Sequence, residues 1–121
     1  MADCIFCKII KGEIPCKKLY EDEHVLAFLD IHPDKPGHTL IIPKKHILDL
    51  TEMDKETIGY ITEAAKKLFP ILKEKLNFDG LKCVQNNGII QEVKHYHLHL
   101  LPIYKNEPTL SLDEIYEILT K

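Results

Sequence analysis

The stretch Val93-Lys94-His95-Tyr96-His97-Leu98-His99-Leu100-Leu101 alternates histidine with aromatic and apolar residues, and it decides the fold prediction. Successive side chains of a strand point to opposite faces, so the three histidines share one face and their apolar neighbours share the other. We therefore predict a strand over residues 93–102 that packs its apolar face on the core. Its other face presents three imidazoles, spaced by roughly 7 Å along the strand.

These three imidazoles suit phosphate chemistry or metal binding. Like charges at this spacing disfavour one another, so at least one ring stays neutral near pH 7 and can act as a nucleophile. The other rings can donate hydrogen bonds to a phosphate or hand a proton to a leaving group. The alternatives are a bare metal site at His95 and His97, or strand histidines with no role.

The elements around this strand predict an α+β fold. Apolar residues recur at three- and four-residue steps over residues 54–76, which indicates a long helix with Asp54 as its N-cap. Pro70 should kink this helix or end its regular part. The remaining predicted elements are a short helix over residues 4–11, strands at 17–20, 24–31, 38–43 and 80–85, and a C-terminal helix that opens with a capping box at Ser111 and Glu114.

Together these elements form a mainly antiparallel five-stranded sheet with one long helix and short N- and C-terminal helices. The 121 residues contain no repeat or linker and are expected to form a single domain, residues 1–121. All 16 basic residues are scattered lysines and the formal charge is −3, which argues against a nucleic acid or membrane partner. The absence of a signal-like or spanning segment predicts a cytoplasmic protein whose four cysteines are thiols or metal ligands.

The histidine strand resembles the His-φ-His-φ-His-φ-φ signature of the histidine triad (HIT) superfamily, where φ is apolar. Other segments are similar to the nucleotide-binding branch of that superfamily, in the same order and at suitable spacing. They are Cys4-Ile5-Phe6-Cys7-Lys8-Ile9-Ile10, Glu13-Ile14-Pro15, Leu26-Ala27-Phe28-Leu29-Asp30-Ile31, Gly37-His38-Thr39-Leu40-Ile41-Ile42-Pro43-Lys44-Lys45-His46 and Gln91-x-Val93. The resemblance covers almost the whole chain, from Cys4 to Pro102.

This resemblance implies a homodimeric hydrolase or nucleotidyl transferase that cleaves purine nucleoside phosphoramidates. His97 would attack the α-phosphorus to form a nucleotidyl-histidine intermediate, and His99 would contact the phosphate or the leaving group. The implied nucleotide-binding residues are Ile5, Phe6, Asp30, Ile31, Asn86, Gln91, His97 and His99. A dinucleoside polyphosphate hydrolase of the same superfamily and a zinc-stabilised nucleotide-binding protein with little catalysis are the alternatives.

The resemblance also implies a structural zinc site. Members that carry a Cys-x-x-Cys bind zinc with residues that match Cys4, Cys7, His46 and His95. Two thiolates and two imidazoles complete a tetrahedral zinc shell, so the site would be closed and structural. His95 would then hold the strand beside His97.

The chain departs from the family pattern beside the expected phosphate site. The segment from Asn86 to Gln91 is about two residues shorter than usual and holds two isoleucines where small residues are expected. Glu92 stands where some members have a serine that touches the leaving group. His24, His32 and His38 are expected at loop or strand-surface positions with no chemical role.

Overall fold

The computed structural model, which describes residues 3–121, contains a five-stranded antiparallel sheet. The strands are β1 (Lys18–Glu21), β2 (Val25–Leu29), β3 (Thr39–Pro43), β4 (Gly80–Gln85) and β5 (Leu98–Ile103). Their order across the sheet is β1-β2-β3-β5-β4, which places β5 between β3 and β4. The predicted α+β class, with a mainly antiparallel five-stranded sheet, is confirmed.

Within residues 3–121, three α-helices accompany the sheet: α1 (Ile5–Ile10), α2 (Lys55–Leu76) and α3 (Leu112–Thr120). Asp54 caps α2 by accepting a hydrogen bond from the Thr57 amide at 2.7 Å, and the predicted capping box opens α3. Short 3-10 turns occupy Leu50–Glu52 and Gly88–Ile90. None of the helices within residues 3–121 is both long and apolar enough to cross a membrane.

The long helix continues past Pro70, so of the two predicted effects of this proline, a kink or an end of the regular helix, the second is wrong. Pro70 lies on the exposed side of the helix, while Leu68 and Leu72 on either side of it are buried. Burial of each such leucine contributes about 1.5–3 kcal/mol, which offsets much of the cost of a missing hydrogen bond. The helix ends instead at Asn77, which adopts a left-handed conformation with φ of 50°.

Two apolar clusters cover opposite faces of the sheet. Val25, Ala27 and Leu29 of β2 join the main core, which α2 and α3 complete. The alternate residues Leu26 and Phe28 pack in a smaller cluster under α1. Because both faces are covered, β2 and β3 are buried at every position, and the short N-terminal helix is held against the sheet.

The strand that carries the histidines is shorter than predicted, because it begins at Leu98 and not at residue 93. Pairing between β3 and β5 starts at Ile41 and Leu98, so His95 and His97 precede the ladder, and His95 ends a bend over residues 92–95. The predicted alternation holds, since Tyr96 joins the main core while the rings of His95 and His97 meet Phe6 of the smaller cluster. The His97 and His99 ring centroids are 4.8 Å apart, closer than the roughly 7 Å of a regular strand.

Candidate active site and metal centre

His97 presents an unprotonated nitrogen because a backbone carbonyl occupies its other nitrogen. The ring is 4% exposed, and Nδ1 lies 2.8 Å from the carbonyl oxygen of His95. A carbonyl only accepts hydrogen bonds, so Nδ1 carries the proton and Nε2 of the neutral ring carries a lone pair. Burial lowers the pKa of His97, which favours this neutral form near pH 7. Nε2 is therefore a nitrogen able to attack an electrophile.

His99 offers the opposite hydrogen-bonding role from His97, because its Nε2 carries a proton and is a donor. The Asp34 amide donates to Nδ1 of His38 at 3.1 Å, which leaves the His38 proton on Nε2. That Nε2 lies 2.9 Å from Nδ1 of His99, so His38 donates and His99 carries its own proton on Nε2. This last nitrogen is buried and has no hydrogen-bond partner within residues 3–121. The chain of contacts therefore leaves one buried donor free for a ligand.

Burial keeps both members of this histidine pair neutral. Loss of solvent, followed by the nearby imidazoles of His97 and His38, lowers the pKa of His99 to about 4. Burial also lowers the pKa of His38, against the attraction of Asp30 and Asp34. Near neutral pH both rings are therefore uncharged. The Nε2–H of His38 is used by His99, and the Nε2–H of His99 is the donor left for a ligand.

An apolar cavity of about 290 Å³ opens beside these imidazoles. Phe6 forms one wall and meets the His97 ring edge-on, with ring centroids 5.1 Å apart. Asp30 and the exposed Ile31 also line the cavity, and Oδ1 of Asp30 accepts a hydrogen bond from the His32 amide at 2.9 Å. Other lining residues are Ile5, Ile9, Phe28, Leu40, Glu92, Val93 and His99. The flat base of a nucleotide would fit these walls, with the charged phosphate at the histidines.

A smaller cavity of about 130 Å³ borders the same two imidazoles. It is lined by Asp34, Val84, Asn86, Glu92, His97, His99 and Leu101. Asn86, a predicted nucleotide-binding residue, therefore lies beside His97 and His99. Gln91 lines neither cavity, because its buried amide donates to the Leu48 carbonyl at 2.7 Å. Its contact with a nucleotide stays a prediction.

The four predicted metal ligands converge at the start of α1. The Sγ atom of Cys4 lies 3.3 Å from Nδ1 of His95, and Sγ of Cys7 lies 3.2 Å from Nδ1 of His46 and 3.6 Å from Nδ1 of His95. Around a tetrahedral zinc, sulfur and nitrogen ligands are about 3.5 Å apart. All four ligand atoms lie within 4.8 Å of one another, so the donor set fits this metal.

A backbone carbonyl also decides which nitrogen of His95 faces this cluster. Nε2 of His95 lies 2.8 Å from the Pro43 carbonyl oxygen, so it carries the proton and Nδ1 is left to bind a metal. The ring is fully buried, and burial lowers the pKa of His95 to about 4. A neutral imidazole with Nδ1 directed at two thiols is the form that coordinates zinc.

Residues 11–106 match the family model of the HIT domain. The chain belongs to the HIT family. A HIT-like protein of Methanocaldococcus jannaschii, described as uncharacterized, is 53% identical over 106 residues, which cover 86% of this chain and 81% of that protein. The adenosine 5'-monophosphoramidase of Schizosaccharomyces pombe is 44% identical over 101 residues, covering 82% of this chain and 73% of that enzyme.

Among solved structures, a zinc-bound histidine triad family protein of Mycobacterium smegmatis is similar to this HIT chain. Its TM-score is 0.89 at 34% identity, covering 98% of this chain and 91% of that one. The match confirms the HIT-type fold over nearly all of the chain. That protein binds zinc. The cluster of Cys4, Cys7, His46 and His95 in this chain fits the coordination geometry of the same metal.

The buried His38 of this HIT chain is the residue that the sequence analysis missed. It was expected at a strand surface or in a loop, yet it is 2% exposed and bonded to His99. The signal was present, because the histidine lies just before the apolar run Leu40-Ile41-Ile42-Pro43 of β3. A buried polar side chain requires a hydrogen-bond partner, and only the pairing of β3 with β5 shows that this partner is His99.

Proposed function

We propose that this HIT protein hydrolyses purine nucleoside phosphoramidates through a covalent nucleotidyl-His97 intermediate. One observation carries the proposal: the rings of His97 and His99, with centroids 4.8 Å apart, both line the apolar cavity, where His97 offers a lone pair on Nε2 and His99 an Nε2–H that has no partner within residues 3–121. A nucleophile next to a fixed donor is what an acyl or phosphoryl transfer site requires. The name of the Schizosaccharomyces pombe relative, an adenosine 5'-monophosphoramidase, supports the same substrate class.

The reaction has two balanced steps. Nε2 of His97 attacks the α-phosphorus, an N–P bond to the ring forms and the P–N bond of the substrate breaks. The amine departs with the bonding pair and takes up a proton from water. A second water then attacks the phosphorus and loses its proton to solvent, and the N–P bond breaks to return the lone pair to Nε2.

The chain's own groups stabilise the charges that develop in these steps. In the intermediate the His97 ring is positively charged, and its Nδ1–H donates to the His95 carbonyl at 2.8 Å. The Nε2–H of His99 donates to a phosphoryl oxygen, with its orientation held by His38. Donors that are already oriented before the reaction cost no reorganisation during it, which is the main advantage of such a site.

The nucleoside would occupy the 290 Å³ cavity. Ile5, Phe6 and Ile31 would pack on the base, and the Asp30 carboxylate would accept hydrogen bonds from the ribose hydroxyls. Asn86 would contact the phosphate from the smaller cavity. Gln91 would support that contact, because its amide donates to the Leu48 carbonyl and holds the 86–91 segment in place.

Cys4, Cys7, His46 and His95 would hold a structural zinc ion, which supplies a rigid link between α1 and the histidine segment. The thiols must stay reduced to bind it, so we propose a cytoplasmic location. A homodimer is proposed as well, because β4 is an edge strand whose outer backbone groups can pair with a second copy. Sedimentation at micromolar concentration tests the dimer.

The decisive experiment compares wild type with His97→Ala on adenosine 5'-phosphoramidate and on diadenosine polyphosphates. Loss of the nucleophile should lower the rate constant for phosphoramidate hydrolysis by at least about 10³-fold. Rapid quench of wild type in an alkaline denaturant, which preserves the acid-labile N–P bond, should trap labelled nucleotide on the protein, and the variant should trap none. His24→Ala, which alters a partly exposed histidine that is stacked on Tyr60 and lines neither cavity, is the matched control.

Three outcomes would contradict the proposal. Equal rates for wild type and His97→Ala would remove the covalent mechanism. Exclusive turnover of the dinucleotides would favour the polyphosphate hydrolase, which needs room for a second nucleoside. Tight AMP binding without any turnover would favour the nucleotide-binding protein, in keeping with the exposed Ile89 and Ile90 of the shortened loop.

A further inference from the structure

We propose that Glu92 and Asp34 make this protein selective for leaving groups that carry a positive charge. The substrates would be nucleoside phosphoramidates whose amine bears a second, protonated amino group. This inference rests on the proposed hydrolase function and names the other half of its substrate. It follows from the smaller cavity, which Asp34 and Glu92 line; Glu92 also borders the larger cavity, and neither residue is among the proposed nucleotide-binding residues.

The smaller cavity is the space left for a leaving group. His97 and His99 line both cavities, so a phosphate held between them faces the two spaces at once. The nucleoside takes the apolar cavity, where most of the walls are carbon. The group on the other side of the phosphorus must then extend into the 130 Å³ cavity, past Asn86.

A buried nitrogen without a partner indicates that this cavity receives a ligand. Nε2 of His99 is buried and makes no hydrogen bond in the described part of the chain. The neighbouring His97 ring is 4% exposed, and its Nε2 carries a lone pair that accepts no hydrogen bond within residues 3–121. Buried polar atoms are rarely left unpaired, so the His99 nitrogen requires a polar group at the junction of the two cavities.

The charges around the smaller cavity have one sign. Asp34 and Glu92 both line it, and its other walls are neutral residues and the two histidines. Both acidic residues share this small cavity with His97 and His99, and the Asp34 amide also donates to Nδ1 of His38 at 3.1 Å. Their carboxylates therefore act on any charge that a leaving group brings into the cavity.

The nearby lysines are held away from this space. Lys94 donates to the carbonyls of Gly88 and Gln91 at 2.8 and 3.0 Å, and Lys35 pairs with Glu107 at 3.2 Å. No lysine among residues 3–121 lines the cavity. A polyphosphate leaving group would therefore meet two carboxylates with no adjacent cation, whereas an ammonium group would be attracted by both.

Three adenosine 5'-phosphoramidates of matched length test the preference. Their amines are 1,3-diaminopropane, n-butylamine and β-alanine, which place a positive, a neutral and a negative group at the same distance from phosphorus. We expect kcat/KM to fall in that order, with the cationic substrate favoured over the neutral one by about tenfold at low ionic strength. Because the charges are near solvent, the ratio should shrink as salt is raised.

Neutral variants of Glu92 and Asp34 test whether these carboxylates cause the preference for the cationic substrate. Glu92→Gln and Asp34→Asn should each reduce the ratio of kcat/KM for the cationic and neutral substrates, and the double variant should bring it to about one. A substitution that disturbs His97 or His99 lowers kcat/KM for both substrates by the same factor. The ratio of the two values within one variant is therefore unaffected by such a loss. Glu74→Gln removes an exposed carboxylate of α2 outside both cavities and should keep the wild-type ratio.

Each possible result separates this inference from the hydrolase function. If wild type hydrolyses all three substrates with equal kcat/KM, the selectivity is overturned and the hydrolase function stands. A cationic preference that survives in the double variant also overturns the role of these carboxylates. Absence of hydrolysis with every substrate would remove the proposed function, and the selectivity with it.

Discussion

Two histidines that are only two residues apart, His95 and His97, present opposite nitrogens to their surroundings. His95 donates from Nε2 to the Pro43 carbonyl and turns Nδ1 toward the thiols of Cys4 and Cys7. His97 donates from Nδ1 to the His95 carbonyl and leaves Nε2 without a partner among residues 3–121, beside the 290 Å³ cavity. The same side chain is thus set up to bind a metal in one place and to act as a nucleophile in the next, according to the carbonyl it meets.

The two regions are also connected. The carbonyl that holds the His97 ring belongs to His95, whose own side chain completes the metal cluster. A metal bound there would restrain the backbone that orients the nucleophile. The metal centre would therefore affect stability strongly and activity indirectly, whereas His97, His99 and His38 would affect activity with less effect on stability.

The largest effect should come from Cys7→Ser, which removes one ligand of the metal centre. We expect zinc content to fall from about one per chain to near zero and the free energy of unfolding to fall by at least about 3 kcal/mol. Turnover of the folded variant should fall by about tenfold, because His95 loses its restraint. Metal analysis, urea denaturation and kcat measure the three effects.

Cys83→Ser is the matched control for this experiment, because Cys83 is an exposed thiol on β4. It should leave metal content and activity at the wild-type level. If Cys7→Ser retained its zinc and its unfolding midpoint, the division of the histidine segment into a structural and a reactive region would be wrong.

A smaller effect is expected at His38, where two variants separate its two hydrogen bonds. Asparagine keeps an acceptor near the position of Nδ1, while glutamine can replace the Nε2–H that donates to His99. His38→Asn should lower kcat/KM by about 10- to 100-fold, and His38→Gln should retain most of it. Metal content should be unchanged in both variants.

Nitrogen NMR of labelled protein adds a readout that a general loss of packing would not mimic. In wild type and His38→Gln, the proton of His99 should reside on Nε2, and in His38→Asn the two tautomers should mix. Equal activity of the two variants would show that the donor on His38 has no part in orienting His99.

The smallest effect should be the pH dependence of stability that the buried pair creates. Burial lowers the pKa of His99 from 6.5 to about 4, so between these values the unfolded chain binds a proton that the folded chain does not. The free energy of unfolding should therefore fall as the pH is lowered from 7 to 5. His97, His38, Asp30 and Asp34 are the titratable groups that act on this ring.

Denaturation of wild type and His99→Gln at pH 7 and pH 5 isolates this contribution, since acid loss of a metal would be common to both proteins. The variant should lose less stability than wild type over this interval. His24→Gln, at a partly exposed histidine, should follow wild type. A larger acid loss in His99→Gln would mean that His99 is protonated in the folded protein.

Local sequence patterns predicted the elements that depend on neighbouring residues. The stripe on α2, its Asp54 cap and the capping box at Ser111 all involve contacts within four residues, and the structure confirms them. The pairing of His38 with His99 spans 61 positions. It depends on the register in which Leu40 lies opposite His99, and local periodicity carries no information on that register.

The sequence by itself determined the chemistry available to this protein: alternating histidines with an apolar back, two cysteines at ligand spacing, and a membership of the HIT family that the motifs already indicated. Only the tertiary structure decided which nitrogen of each imidazole is free. The deciding partners are the carbonyls of Pro43 and His95 and the amide of Asp34. Nearly every residue has such backbone groups, so their role depends on where the fold places them and leaves no trace in the residue types.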